Sequence, residues 1–134
     1  MLVLRKYQLN EVEEIKEILK NEGIRDLIFE GVIYVVIDND SLVGVGKAIE
    51  TNNKWMLKYL VIRKERRNQG FGDALLRTIL NKLRNQGISV IFCRLNNPYL
   101  IKKGFIVNDE KELELNIENF FSIGCNGCGG CDVL

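Results

Sequence analysis

The chain of 134 residues contains no histidine. It therefore lacks the side chain whose ordinary pKa lies nearest neutrality. Any proton transfer falls to Glu, Asp, Tyr, Cys, Lys or water. No apolar run approaches the roughly 20 residues of a membrane span. Met1-Leu2-Val3-Leu4-Arg5-Lys6 lacks the apolar core of a signal peptide, so a cytoplasmic protein is the expectation. Charge of either sign is not in excess. Nineteen Lys and Arg against eighteen Asp and Glu leave a net charge of +1, so no overall field draws nucleic acid or a membrane surface. The single proline, Pro98, stands where it can open a short helix over 98–103.

What is present suits one globular domain. A chain of this size buries about two-thirds of its unfolded surface. Residues 2–7 read as a first strand. Asn10 is placed to cap a helix, with Glu13 completing a capping box, Leu9, Val12, Ile15 and Leu19 forming the apolar stripe, and Gly23 ending it. Residues 24–30 read as a short helix or turn. Gly31 to Ile37 and Leu42 to Glu50 form a hairpin about the turn Asp38-Asn39-Asp40-Ser41, and the strand 54–63 follows Thr51-Asn52-Asn53. The clearest helix carries Leu75, Leu76, Ile79, Leu80 and Leu83 on one face, Asp73 in its first turn, Lys82 and Arg84 in its last, and Gly87 just beyond. Ile88 to Cys93 is a buried strand by composition. Another strand starts at Gly104, and a last one falls within 112–123. The domain is expected over 1–123, followed by a cysteine- and glycine-rich tail over 124–134.

Between the strand Lys-Tyr-Leu-Val-Ile (58–62) and the clearest helix lies Arg67-x-x-Gly70-x-Gly72. A glycine-rich turn that opens a helix is suited to an anion. Backbone N–H groups point outward and the helix N-terminus carries about half a positive charge. Gly70 and Gly72 let the backbone come close and take dihedrals closed to other residues, and Arg67 adds a cation. The candidate phosphate binders are Arg67, Asn68, Gln69, Gly70, Phe71, Gly72 and Asp73. A Walker loop would need Lys and Ser or Thr after the last glycine, where Asp73 and Ala74 stand. A dinucleotide fingerprint would need a third glycine at Leu75. The bland alternative is a strand-to-helix turn with two incidental glycines.

This turn resembles the pyrophosphate loop of the GCN5-related N-acetyltransferase family, Gln/Arg-x-x-Gly-x-Gly/Ala. Lys102-Lys103-Gly104-Phe105 resembles the family's Lys-x-Gly-Phe segment. The likeness covers about residues 1–120. It implies an α+β (α/β) fold with a central mixed, mostly antiparallel sheet of six to seven strands, about four flanking helices, and strands four and five splayed. It implies acetyl-coenzyme A as cosubstrate, with the backbone of Leu60, Val61 and Ile62 pairing with the pantetheine arm. An N–H of Leu60 or Val61 would then hold the oxyanion. The implied reaction is direct attack of a primary amine on the thioester. The acceptor would be a small molecule, an amino acid among the candidates, with a peptide terminus left open. A homodimer is common in the family. Many relatives carry a glutamate base on strand four, but Met56 occupies that place here, which leaves Glu50 acting through water or standing as a solvated charge. Many carry a tyrosine acid four residues before Gly-Phe. That position is Leu100 here, and its neighbour Tyr99 is either the acid or an aromatic anchor for the short helix.

Cys125-x-x-Cys128-x-x-Cys131, set among glycines, has spacing that lets thiolates reach one ion at about 2.3 Å if it is zinc. The alternatives are a zinc or iron–sulfur site, with Cys93 as a fourth ligand if the tail folds back, a redox pair, or free thiols. The tail resembles that of short N-acetylglutamate-synthase-like members of the family, although Cys131-Asp132 follows a shorter spacer. A coenzyme-A-binding sensor with a metal- or redox-responsive tail is the competing function. A nucleic-acid module built on Arg63, Lys64, Arg66 and Arg67 is a third, and the near-neutral charge argues against it.

Overall fold

A computed structural model of the chain describes residues 1–26, 30–94 and 97–123. Cys125, Cys128 and Cys131 lie outside the described residues, as does the tail expected over 124–134. Seven strands form one mixed sheet in the order β1-β2-β3-β4-β5-β7-β6. They are β1 (Leu2–Lys6), β2 (Val32–Asp38), β3 (Ser41–Thr51), β4 (Lys54–Ile62), β5 (Val90–Cys93), β6 (Ile106–Val107) and β7 (Leu113–Asn116). All neighbours are antiparallel except β4 and β5. Four helices flank the sheet: α1 (Val12–Asn21), α2 (Phe71–Asn85), α3 (Pro98–Lys102) and α4 (Ile117–Ile123).

Asn52 and Asn53 set the register of the central hairpin. Both take positive φ, 53° and 63°, the hand of two-residue turn that matches strand twist. This turn pairs Thr51 with Lys54. The register slips once. Lys47 faces Tyr59 and Ala48 faces Leu57, so Lys58 is an extra residue in a β-bulge. The two sheet faces are covered by different helices. Ile15, Ile18 and Leu19 of α1 share a buried cluster with Ile33, Val35, Val45, Tyr59 and Val61. Leu75, Leu76, Ile79, Leu80 and Leu83 of α2, all apolar in the sequence at helical spacing, are buried with Leu57, Leu60, Ile62 and Ile91. Gly46 lets α2 approach this closely: a Cβ there would lie 2.8 Å from Ile79 Cδ1.

The expected start of the first helix is corrected. Asn10 does not cap α1. A 3₁₀ turn over Leu9–Glu11 precedes the helix, and the Gln8 N–H donates to Glu11 Oε1 at 2.8 Å. Leu9 is 85% exposed, so the buried stripe is Ile15, Ile18 and Leu19. The cause is Arg5, whose guanidinium grips Glu11 at 2.7 and 3.0 Å and draws the first turn toward β1. Of the segment 24–30, read as a short helix or turn, residues 24–26 are not helical and 27–29 lie outside the described residues. The last strand falls within 112–123 as expected, at Leu113–Asn116. The Asn116 side chain then accepts from the Asn119 N–H at 3.0 Å and starts α4.

The Arg5 hydrogen bond holds the Glu11 carboxyl below its ordinary 4.5. A depressed carboxylate stabilises the fold above its unfolded pKa and loses that contribution as pH falls through the folded one. Arg5→Met is therefore expected to cost at most about 1 kcal/mol at pH 7, since Arg5 is partly exposed. The difference from wild type should disappear in urea titrations repeated at pH 3.

Candidate functional site

β4 and β5 pair only at Trp55–Ile91 and Met56–Phe92. Beyond Met56 they diverge, and β4 runs on to Ile62 with no strand partner on that side among the described residues. In an antiparallel ladder, alternate residues turn both N–H and C=O to the same neighbour. The Arg63 N–H donates to Val43 O at 2.7 Å, so Val61 and Tyr59 also face β3. Leu60 and Ile62 face the gap. Of the two N–H groups considered from sequence, the register directs Leu60 into the gap and Val61 toward Val45. The bulge at Lys58 sets this phase, and no local pattern in the sequence announces it.

The open edge leads to the glycine turn. Asn68, Gln69 and Gly70 are exposed at its crest. Asn68 has φ 64° and Gly70, which caps α2, has φ 83°. The first helical bond runs from Ala74 N to Gly70 O at 3.1 Å. Helix geometry leaves the N–H groups of Phe71, Gly72 and Asp73 without acceptors inside the helix. A Cβ on Gly70 would meet nothing within 4 Å, so the space over the turn is open to a bulky anion. Gly72, by contrast, is helical and buried. The expectation of a special dihedral holds for Gly70 and not for Gly72.

Arg67 also differs from expectation. Its side chain turns inward. Nε donates to Ile62 O at 3.0 Å, and Nη2 lies 3.1 Å from Glu22 Oε2. That second contact is an ion pair out of line for a hydrogen bond, because the buried Nη2 has no hydrogen-bond acceptor. Arg67 thus braces the turn against the end of β4 and the end of α1, and its charge is answered by Glu22. Arg63 is held by Leu42 O and Glu14, both at 2.7 Å, and Arg66 by Asp38. The basic run seen in the sequence is consumed largely by internal ion pairs. The anion-attracting feature of the turn is its backbone.

Across the gap, Pro98 opens α3 and the Asn97 side chain accepts from the Tyr99 N–H at 2.8 Å. Leu100, the position expected from family spacing, is fully buried in the core. Tyr99 is 8% exposed, and its hydroxyl donates to Asp73 Oδ1 in the first turn of α2. Lys103 Nζ lies 3.2 Å from Asp73 Oδ2 and 5.5 Å over the Tyr99 ring. Tyr99, Asp73 and Lys103 therefore join α3 to the glycine turn. A cavity of about 110 Å³ lies beside them, too small for a coenzyme arm. Glu50 is exposed at the hairpin end of β3, opposite Trp55. It is some five residues along the sheet from Leu60, about 15 Å.

Sequence reading missed one cluster. Lys47, 4% exposed, sits in the middle of β3 with Nζ 2.9 Å from Asp26 Oδ2. The Tyr59 hydroxyl donates to the same oxygen at 2.8 Å. Burial first, and then the Asp26 hydrogen bond, push the Tyr59 phenol far above its ordinary pKa of 10.0. The available signal was a lone lysine within the apolar run Leu42–Ile49.

Among the described residues, no group of three or more potential ligands is placed to hold a metal ion, and no helix is long and apolar enough to cross a membrane. The Acetyltransferase (GNAT) family model matches residues 5–102. No curated protein matches the chain. Solved structures do. N-acetylglutamate synthase from Neisseria gonorrhoeae, complexed with coenzyme A and L-arginine, is 16% identical with a TM-score of 0.73, over 86% of this chain and 33% of that one. This chain thus spans a third of the synthase. A GNAT-family acetyltransferase from Staphylococcus aureus Mu50 is 19% identical with a TM-score of 0.73, over 87% and 99%. A GNAT-family acetyltransferase from Brucella melitensis, in complex with acetyl-CoA, is 14% identical with a TM-score of 0.70, over 99% and 94%. At these identities the likeness is one of fold.

Proposed function

Since the chain belongs to the acetyltransferase (GNAT) family, we propose that it acetylates the primary amine of a small molecule, an amino acid among the candidates, by direct attack on the thioester of acetyl-coenzyme A. Acetyl-coenzyme-A-dependent transfer is the chemistry this fold supports. The observation that carries the reading is the edge of β4 left open beyond Met56, running straight onto the N-terminus of α2.

The residues fit the cosubstrate. An amide-bearing pantetheine arm can add to β4 as a strand does, through the backbone of Leu60 and Ile62. The pyrophosphate would lie over Asn68, Gln69 and Gly70 against the N–H groups of Phe71, Gly72 and Asp73. Attack on the carbonyl carbon places negative charge on its oxygen. The Leu60 N–H is the donor for that charge, a contribution of roughly 3–4 kcal/mol in other acyl transfers. The carbon–sulfur bond then breaks, and the electron pair left on sulfur needs a proton. Tyr99 is the proposed source, held in place by Asp73 and Lys103; the proton shed by the amine nitrogen passes to water, and Tyr99 recovers its own from water. The exposed Glu50 is too far from Leu60 to share in this chemistry.

The test is coenzyme-A thiol release across a panel of primary amines and amino acids. Turnover with at least one amine, and a matching N-acetyl product by mass spectrometry, is the expected result. Tight coenzyme binding with no turnover on any amine would make the chain a coenzyme-binding module instead.

A further inference from the structure

β6 ends the sheet opposite β1, and its outer edge has no strand partner among the described residues. We propose that this edge pairs with the same edge of a second copy of the chain, antiparallel, about a two-fold axis at Val107. The inference stands apart from the acetyltransferase reading and does not depend on it.

The backbone sets the axis. The Asn108 N–H donates to Glu112 O at 2.8 Å, continuing the β6–β7 ladder. Alternate residues of an antiparallel ladder turn both their backbone groups to the same side. Asn108 and Ile106 therefore face β7, and Val107 turns its N–H and C=O outward. A residue with both groups outward can exchange two hydrogen bonds with its own copy across a two-fold axis. Val107 then lies opposite Val107 of the second copy, Ile106 opposite Asn108, and Phe105 opposite Asp109.

The side chains leave this edge unguarded. Both residues of β6 are apolar and exposed, Ile106 by 63% and Val107 by 59%. As neighbours on a strand they stand on opposite faces and flank the edge from both sides. Ile101 of α3 is exposed beside them, its carbonyl taking the Gly104 N–H at 3.1 Å where the chain turns into β6. Edge strands ordinarily carry charges that discourage pairing. β1, at the other edge, exposes Leu2 but also carries Arg5 and Lys6. β6 carries no charge.

Charge selects the occupant. Lys102 stands before β6, and Asp109 and Glu110 stand beyond it. Lys102 and Asp109 are exposed and have no ion pair among the described residues. Glu110 is exposed, with Lys54 at 3.3 Å. Antiparallel pairing of two copies brings the basic end of each edge to the acidic end of the other. This is the self-complementarity that a two-fold interface needs, and a parallel arrangement would set like charges together. The seam is short, so the dimer is expected to be weak and reversible, with a dissociation constant on the order of 10 µM.

The experiment is sedimentation velocity over a range from about 1 to 200 µM, for wild type and four variants. Wild type should pass from monomer to dimer with concentration. Val107→Lys puts two like charges face to face on the axis and should weaken the dimer at least about tenfold. Lys102→Glu and Asp109→Lys should each weaken it about fivefold, and the two together should restore most of the wild-type affinity, because the exchanged ends meet again. These positions are exposed, so melting temperatures should stay near wild type. Wild type that stays monomeric throughout leaves the edge to a different partner and overturns the self-pairing. A dimer unmoved by Val107→Lys, or one lost instead to Leu2→Lys on β1, overturns it as well. So does a doubly exchanged variant that associates no better than the single ones.

Discussion

Gly70→Val is expected to weaken acetyl-coenzyme A by about thirtyfold, near 2 kcal/mol, while the protein remains folded. Two effects must be separated. Gly70 has φ 83°, so any side chain there strains the backbone, at a cost of about 1–3 kcal/mol. The added atoms meet no protein atom, since nothing lies within 4 Å of a Cβ at this position. They project instead into the space over the turn, where a phosphate must approach the N–H groups of the first turn of α2. Gly87 supplies a matched control. It has the same φ of 83° and the same open surroundings, and it lies at the other end of α2. Gly87→Val should lose comparable stability in thermal melts and keep wild-type coenzyme affinity in calorimetry. If both variants bind the coenzyme equally, the glycine turn is only a helix start and the site lies elsewhere.

The turn was legible in the sequence because everything that makes it is local: two glycines, a preceding apolar strand, and a helix with Leu75, Leu76, Ile79, Leu80 and Leu83 on one face. The turn at Asn52-Asn53 was legible for the same reason, standing between two strand-forming runs. What escaped depends on partners far along the chain. Arg67 reads as a phosphate cation until Glu22, 45 positions earlier, is placed beside it. Asn10 reads as a cap until Arg5 takes Glu11. Lys47 reads as an interruption in β3 until Asp26 and Tyr59 surround it. The choice between Leu60 and Val61 is of another kind. A single extra residue, Lys58, inverts which backbone groups face the gap, and a bulge leaves no mark in hydrophobic alternation as short as that of β4. The candidate acid shows both effects. Spacing from Gly104-Phe105 pointed to position 100, but Asn97 and Pro98 fix where α3 begins, and that start buries Leu100 and turns Tyr99 toward Asp73.

Tyr99→Phe is expected to lower kcat about a hundredfold with little change in coenzyme affinity. The substitution removes one oxygen and keeps the ring, which is 8% exposed and sits under the Lys103 ammonium at 5.5 Å. Two roles for the hydroxyl predict different losses. As the acid, it lowers the barrier to expelling a poor leaving group, and its removal is felt in kcat. As a tie between α3 and α2, it contributes one hydrogen bond to a carboxylate, and its removal costs about 1.5–3 kcal/mol of stability. Some stability loss is expected in either case, because Asp73 is left with Lys103 as its side-chain partner among the described residues. The decisive measurement varies the leaving group. A coenzyme analogue with a more acidic thiol expels its sulfur without help, so the gap between wild type and Tyr99→Phe should close as thiol acidity rises. A gap of constant size would mean that the hydroxyl acts through position alone. A variant with full kcat on acetyl-coenzyme A would leave Tyr99 as the anchor of α3 and give the proton to water.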